Sequence, residues 1–244
     1  VRNCIVTGAS RGLGLAIASR LAACGDRVIG IARKASDEFR AAAEALDPAS
    51  GGQLIFQAFD LTETRAIGPL VASLRREHGT PYALINNAGL GTAGVLANLH
   101  VEQIEELARV NMIAPIVLTK YVVKSMMLER AGRIVNIASV VAATGFNGLS
   151  VYAATKASLV GFTRSLAREV GQLGITVNAI APGFADTEMT SSLDAEMREK
   201  ISRRSALRRL IEPKDVAAAV EFLLSEAARN ITGVTLTVDA GSTA

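Results

Sequence analysis

Tryptophan is absent from the 244 residues, cysteine and histidine occur twice each, and aromatic residues make up only 4% of the chain. Each scarcity closes a class of function. Cys4 and Cys24 form no C-x-x-C pair and His78 and His100 are the only histidines, so no zinc-ligand spacing exists and no metal site is expected. Low cysteine usage fits a reducing compartment and a cytoplasmic location. Few aromatics leave poor stacking surfaces for single strands. The net charge of +3, from 26 basic against 23 acidic residues, supplies no basic footprint for nucleic acid. No apolar run reaches the ~18 uninterrupted residues of a membrane span, and no charged, then apolar, then small-residue signal opens the chain. The first residue is Val1 rather than Met, which leaves open a targeting segment ahead of it. Neither nucleic acid nor a membrane is expected as a partner.

Half of the residues are hydrophobic, 20% are charged, and the mean hydropathy is +0.31; such a chain can bury a large core. No linker, repeat or composition shift divides it, so residues 1–244 read as one domain. Short apolar runs at Cys4–Val6, Arg27–Ile31, Leu54–Phe56, Tyr82–Ile85, Arg133–Ile137, Ile175–Ile180 and Val234–Val238 alternate with helical spacing. That alternation predicts an α/β fold built on a doubly wound parallel sheet, whose strands are covered on both faces. A charged amphipathic stretch at about 186–209 falls near the carboxyl ends of the strands and reads as a lid over the ligand crevice, or as an ordinary solvated helix.

Directly after the first run comes Thr7-Gly8-Ala9-Ser10-Arg11-Gly12-Leu13-Gly14, and then the apolar face of a helix. Glycines there let backbone turn sharply and approach a pyrophosphate that the helix N-terminus attracts. The spacing is a variant of G-x-G-x-x-G. The same residues also satisfy G-x-S-x-G with Ser10 as a hydrolase nucleophile. That reading lacks a base, because His78 and His100 sit in polar surroundings with no acid placed to orient them. Where a dinucleotide site often has an acid, at the end of strand two, this chain has Ala32-Arg33-Lys34. Arg33 and Arg11 suit a ribose 2′-phosphate, which predicts NADP(H). After strand three, Asp60-Leu61 could meet the adenine amino group, or Asp60 could cap the next helix. After strand four, Asn86-Asn87-Ala88-Gly89 could hold backbone across a strand end and leave room for a ribose, though a plain turn would look similar.

From Ile134 to Thr163 the only charged side chain is Lys156. Burying an unpaired ammonium is costly, so it must find water, a hydrogen-bonding ligand or an anion, or lose its proton. Tyr152 lies four residues earlier on the same helical face. A phenol with an ordinary pKa of about 10 needs a nearby cation to exchange protons at neutral pH. Ser139, at the end of strand five, brings a hydroxyl to the same place. The three groups could converge on one substrate carbonyl oxygen.

Taken together, Thr7-Gly8-x-x-x-Gly12-x-Gly14, Asn86-Asn87-Ala88-Gly89, Asn111, Ser139, Tyr152-x-x-x-Lys156 and Pro182-Gly183 resemble the short-chain dehydrogenase/reductase family over essentially the whole chain. Within it, Thr7–Gly12, Ser165-Leu166-Ala167-Arg168-Glu169 and Ala181-Pro182-Gly183-Phe184 are most similar to the 3-oxoacyl-[acyl-carrier-protein] reductases of fatty acid synthesis. The resemblance implies a Rossmann-type seven-stranded parallel sheet of order 3-2-1-4-5-6-7. It implies Tyr152 as general acid, Lys156 on the nicotinamide ribose lowering the tyrosine pKa, Ser139 on the substrate carbonyl, and Asn111 positioning a water in a proton relay. Gly8, Ser10, Arg11, Gly12, Leu13, Gly14, Arg33, Asp60, Leu61, Asn87, Ala88 and Gly89 would hold the rest of the cofactor, with Pro182, Gly183, Ala185 and Thr187 at the carboxamide. A homotetramer is implied as well.

Arg130 matches one basic position used for docking an acyl carrier protein, but Leu173 occupies a second, so that partner stays open. Leu90-Gly91-Thr92-Ala93-Gly94 also departs from the usual segment near the substrate entrance. The favoured substrate is a 3-oxoacyl thioester; another ketone, sugar or polyol is the alternative, and a non-catalytic dinucleotide-binding regulator is the reading from another class.

Overall fold

A computed structural model describes residues 1–91, 94–185 and 195–244, without the side chains of residues 195, 197 and 198. The strands are β1 (Asn3–Thr7), β2 (Arg27–Ala32), β3 (Gln53–Ala58), β4 (Ala83–Asn86), β5 (Gly132–Ile137), β6 (Ile175–Pro182) and β7 (Thr235–Val238). All pair in parallel, in the order β3-β2-β1-β4-β5-β6-β7. The seven apolar runs are therefore the seven strands, and their order is the one the family resemblance implied. β5 and β6 are buried along their whole lengths, as strands covered on both faces must be.

Alternation along β1 shows how the two faces fill. Cys4 and Val6 point into a core built with α1 (Gly12–Ala23) and α9 (Pro213–Leu224), where Ile17, Leu21, Val216 and Val220 are fully buried. Ile5, between them, points into the opposite core with α3 (Ile67–His78), α5 (Ala114–Glu129) and α7 (Ser150–Val170), among Leu74, Leu118, Val122 and Met126. Each such aliphatic side chain contributes about 1.5–3 kcal/mol of burial. The remaining helices are α2 (Asp37–Glu44), α4 (Val101–Ala108), the short α6 (Val141–Thr144) and α8 (Ala195–Arg204). None among the described residues is long and apolar enough to cross a membrane.

The sheet order reverses between β1 and β4, and in sheets of this kind ligands bind at the carboxyl ends of the strands beside that reversal. Of the expected lid at 186–209, residues 186–194 lie outside the described residues. Of the rest, Ala195–Arg204 forms α8, which carries an Arg203–Glu199 ion pair one turn apart. The segment after α8 is tied to the chain's end by Ala206 N–H to Gly241 O (3.2 Å) and Leu207 N–H to Ala240 O (3.0 Å).

Candidate active site

At the reversal point, short side chains clasp the ends of β1 and β4. The Thr7 hydroxyl accepts from the N–H groups of Asn87 and Ala88, each at 3.0 Å, while Asn87 Nδ2 donates to Thr7 O at 2.9 Å and Gly8 O at 3.3 Å. The expectation that an amide here holds backbone across a strand end matches this geometry. The turn itself requires glycine. Gly8 and Gly12 have φ of +66° and +57°, a region costly for residues with a Cβ. A Cβ on Gly14 would lie 2.1 Å from Gly8 O and 2.5 Å from Asn87 Nδ2. α1 opens from this turn with no side-chain cap and no acidic residue in its first turn, so its first N–H groups and the positive end of its dipole suit an anion such as a pyrophosphate.

Ser10, Arg11 and Leu13 lie in the same turn, and the Ser36 hydroxyl that caps α2 also donates to Ser10 O. Arg33 follows β2, and Asp60 and Leu61 follow β3. Hydrogen bonds from Thr62 depress the Asp60 carboxyl, and the Arg33 charge adds to the effect. The Asp60 Oδ1 accepts from Thr62 N–H at 2.9 Å and from its hydroxyl at 2.8 Å, closing a turn in the loop; it does not cap the next helix as the sequence allowed, because the following helical turn starts from Glu63 and α3 from Ala66, neither with a side-chain cap. Arg11 acts on Glu38, whose carboxyl is held low by backbone and Ser36 hydrogen bonds and by that guanidinium. Both arginines thus stand near carboxylates at one end of the sheet.

The second half of the site lies beyond β4. Asn111 is fully buried in a π-helical turn, Arg109–Ile113, between α4 and α5; such widened turns recur at functional sites. Its Oδ1 accepts from Leu90 N–H at 2.8 Å, and its Nδ2 donates to Leu90 O at 2.9 Å and to Thr155 Oγ1 at 3.1 Å. The Thr155 hydroxyl in turn donates to Tyr152 O at 2.8 Å. Lys156, only 4% exposed, donates from Nζ to Ile137 O at 2.8 Å. A Cβ on Gly89 would lie 3.2 Å from that Nζ and 3.4 Å from Asn111 Oδ1, so glycine keeps the space between them open.

Burial lowers the Lys156 ammonium to about 8. Tyr152 is half-buried. Burial pushes its phenol above the ordinary value, and the Ser139 hydroxyl pulls the other way. In the protein alone the opposing pull therefore comes from the serine rather than from Lys156, whose Nζ is 5.7 Å from the Tyr152 ring centroid. The lysine found a carbonyl acceptor rather than the tyrosine. Pro182 ends β6, and Gly183 N–H donates to Val238 O at 2.9 Å. Ala185 bridges to Ile211. Thr187 lies outside the described residues.

A family model described as enoyl-(acyl carrier protein) reductase matches residues 8–243. The 3-oxoacyl-[acyl-carrier-protein] reductases FabG of Vibrio cholerae, Escherichia coli and Pseudomonas aeruginosa are each 40% identical over 237 residues, covering 97% of this chain and 95% of theirs. The chain belongs to the short-chain dehydrogenase/reductase family. It is similar to solved structures of that fold: a candidate gluconate dehydrogenase of Agrobacterium tumefaciens, with TM-score 0.93, 27% identity and coverage of 99% and 95% of the two chains, and a Serratia marcescens short-chain dehydrogenase/reductase double mutant, with TM-score 0.90, 31% identity and coverage of 100% and 98%.

As an oxidoreductase of this family, the chain works with a nicotinamide dinucleotide. The turn, the uncapped helix and the glycine-cleared space beside Lys156 fit one. The motifs included Thr7 without a role for its hydroxyl and left out Thr155. A signal for Thr155 was present: it sits one residue before Lys156, in a helix where a β-branched polar residue is a mediocre former. Another buried network, Asn86 Nδ2 to Asn136 Oδ1 (2.8 Å) and Thr119 Oγ1 (3.0 Å), then Asn136 Nδ2 to Thr163 Oγ1 (2.8 Å), ties β4 and β5 to α5 and α7 beneath the site.

Proposed function

We propose that the chain is an NADPH-dependent reductase of a carbonyl compound, with a 3-oxoacyl thioester as substrate. The observation that carries this reading is the buried Lys156, which donates to Ile137 O at the end of β5 with its Nζ 5.7 Å from the Tyr152 ring centroid, while Ser139 lies just past that strand end and acts on the phenol. The 40% identity to 3-oxoacyl-[acyl-carrier-protein] reductases supports the substrate class. Bound NADPH supplies the hydride. Ser139 and Tyr152 donate hydrogen bonds to the substrate carbonyl oxygen, and Tyr152 passes its proton to the developing alkoxide. The Lys156 charge makes the resulting phenolate less costly. Asn111, in its widened turn, places a water that returns the proton.

The turn at Gly8, Ser10, Arg11, Gly12, Leu13 and Gly14 holds the pyrophosphate end, with Arg11 and Arg33 on the 2′-phosphate. Asp60 and Leu61 flank the adenine, Asn87 to Gly89 the ribose, and Pro182, Gly183, Ala185 and Thr187 the carboxamide. One domain over 1–244, a lid at 186–209, a cytoplasmic homotetramer and a thioester carried by an acyl carrier protein belong to the same reading. The carrier has weaker support, because Arg130 donates to Gln172 O at 3.1 Å and its neighbour is Leu173. Similarity to a candidate gluconate dehydrogenase favours a second reading, oxidation or reduction of a polyol acid. Initial rates with NADPH or NADH and acetoacetyl thioesters, simple ketones or sugar acids decide between them. Thioester reduction with NADPH preferred is expected; faster turnover of sugar acids would overturn the substrate assignment, and a clear NADH preference would overturn the arginine roles.

A further inference from the structure

The backbone that follows β6 is braced from two sides. Gly183 N–H donates to Val238 O at the end of β7, at 2.9 Å, and Ala185 pairs with Ile211 in an isolated parallel bridge. The segment leading to Ile211 is bound in turn to the residues after β7, through the bonds from Ala206 to Gly241 O and from Leu207 to Ala240 O. Three stretches of backbone, 183–185, 206–211 and 238–241, therefore close on one another. Ala185, Ile211 and Ala240 pack into the core shared with α1 and α9. Phe184, between Gly183 and Ala185, leaves toward the Phe146 ring, 5.5 Å away between centroids.

The closure is tight, and side chains hold it against backbone strain. A Cβ on Gly183 would lie 2.7 Å from Asp239 Cβ, and one on Gly241, where φ is +77°, would lie 2.7 Å from Ala206 Cβ. Among the described residues other than glycine, positive φ occurs at Arg130, Arg208 and Ala240, and the last two, at +50° and +55°, belong to this brace. Such conformations persist only where surrounding bonds over-determine them. Asp239 supplies those bonds on one side. Its Oδ1 accepts from Gly241 N–H at 2.8 Å, and its Oδ2 accepts from the Ser242 hydroxyl at 3.0 Å, Thr243 N–H at 2.9 Å and the Thr243 hydroxyl at 2.7 Å. Buried Ser205 does the same on the other side: its hydroxyl accepts from Arg209 N–H at 3.1 Å and donates to Ser202 O at 2.9 Å.

We infer that Asp239 is a positioning residue for the dinucleotide: by shaping the turn after β7 it fixes the backbone at Gly183–Ala185 and so slows release of the cofactor. The inference rests on the reading above in which Pro182, Gly183 and Ala185 meet the nicotinamide carboxamide. Asp239 itself touches neither cofactor nor substrate in that reading. Tyr152 and Lys156 stand on α7 and Ser139 just after β5, outside the brace. Loosening the turn therefore acts on retention of the cofactor and spares the proton transfer. The carboxamide is common to NADPH and NADH, so both are affected alike, unlike a loss at the 2′-phosphate.

The test compares the full-length wild type, Asp239→Ala, Ser205→Ala and the double variant. Without cofactor, Asp239→Ala should speed hydrogen exchange over residues 205–211 by about tenfold and leave β5 unchanged. NADPH and NADH should each bind about tenfold more weakly, through faster dissociation. With acetoacetyl thioester, KM for NADPH should rise by the same factor while kcat stays within about threefold. Ser205→Ala should act in the same direction, and the double variant should be no worse than Asp239→Ala, because both side chains work through one contact. If Asp239→Ala does not fold, Ser205→Ala decides by the same readings. Unchanged exchange or affinity, a loss confined to NADPH, a fall in kcat at unchanged affinity, additive losses in the double variant, or faster exchange in β5 as well overturns the proposal. A wild type that binds neither cofactor overturns the dinucleotide reading itself and the proposal with it.

Discussion

Replacing Lys156 with methionine removes a charge that the fold holds at a cost. Its pKa falls from 10.5 to about 8 through burial alone, and at about 1.4 kcal/mol per pH unit that gap corresponds to an order of 3 kcal/mol. Near pH 7 both folded and unfolded chains are protonated here, so the whole penalty is present. Between about pH 8 and 10.5 the folded protein has released the proton that the unfolded chain still holds, and stability rises with pH. The phenol of Tyr152, raised by burial, stays protonated through most of that window. Methionine fills similar volume but leaves Ile137 O without its donor, a loss of about 1–3 kcal/mol that does not depend on pH. The difference between pH values therefore isolates the charge. Urea unfolding of wild type and Lys156→Met without cofactor should show wild type gaining on the order of 2 kcal/mol relative to the variant between about pH 7 and 9.5. A free-energy difference that is the same at both pH values would refute the claim that Lys156 is a buried, destabilised ammonium.

Other substitutions probe the rest of the site. Arg33→Ala should weaken NADPH by roughly ten- to a hundredfold and leave NADH nearly unchanged, as loss of a charge-assisted phosphate contact does; titration of both cofactors checks it. Thr155→Val leaves one Asn111 N–H without its acceptor and should lower kcat about tenfold with cofactor affinity kept, while Thr155→Ser restores it; steady-state kinetics across pH read the difference. Gly14→Ala places a methyl where Gly8 O stands 2.1 Å away. It should cost about 1–3 kcal/mol in thermal melts and abolish measurable cofactor binding.

The sheet was legible because parallel strands buried on both faces are written as near-continuous apolar runs, as at Ile134–Ile137 and Val177–Ile180, each interrupted by one buried asparagine, Asn136 or Asn178. The glycine turn was legible for the same kind of reason, since positive φ at Gly8 and Gly12 leaves little choice of residue. Lys156 stood out as one charge in a long neutral stretch. What it touches was not legible: the Ile137 carbonyl is 19 residues away and reaches it only through the packing of α7 on β5. The π-helical turn at Asn111 depends on the Leu90 backbone and on Thr155, contacts that no local pattern records. Asp60 was ambiguous between cofactor and cap, and its bonds to Thr62 show one carboxylate oxygen closing a loop turn rather than capping a helix. The pairing of Phe146 with Phe184 joins loops from different strands, so spacing alone could not show it.

Carbonyl reduction by this chain, as proposed, rests on Tyr152, Ser139 and Lys156 acting together. The most direct measurement is a single-turnover reaction of acetoacetyl thioester with NADPH deuterated at the transferring position, run beside Tyr152→Phe. Deuterium on the new alcohol carbon is expected with wild type, and about a hundredfold slower transfer with Tyr152→Phe at unchanged NADPH affinity, because the proton donor is gone. Transfer at the same rate in the variant, or no transfer in the wild type despite bound NADPH, would contradict it.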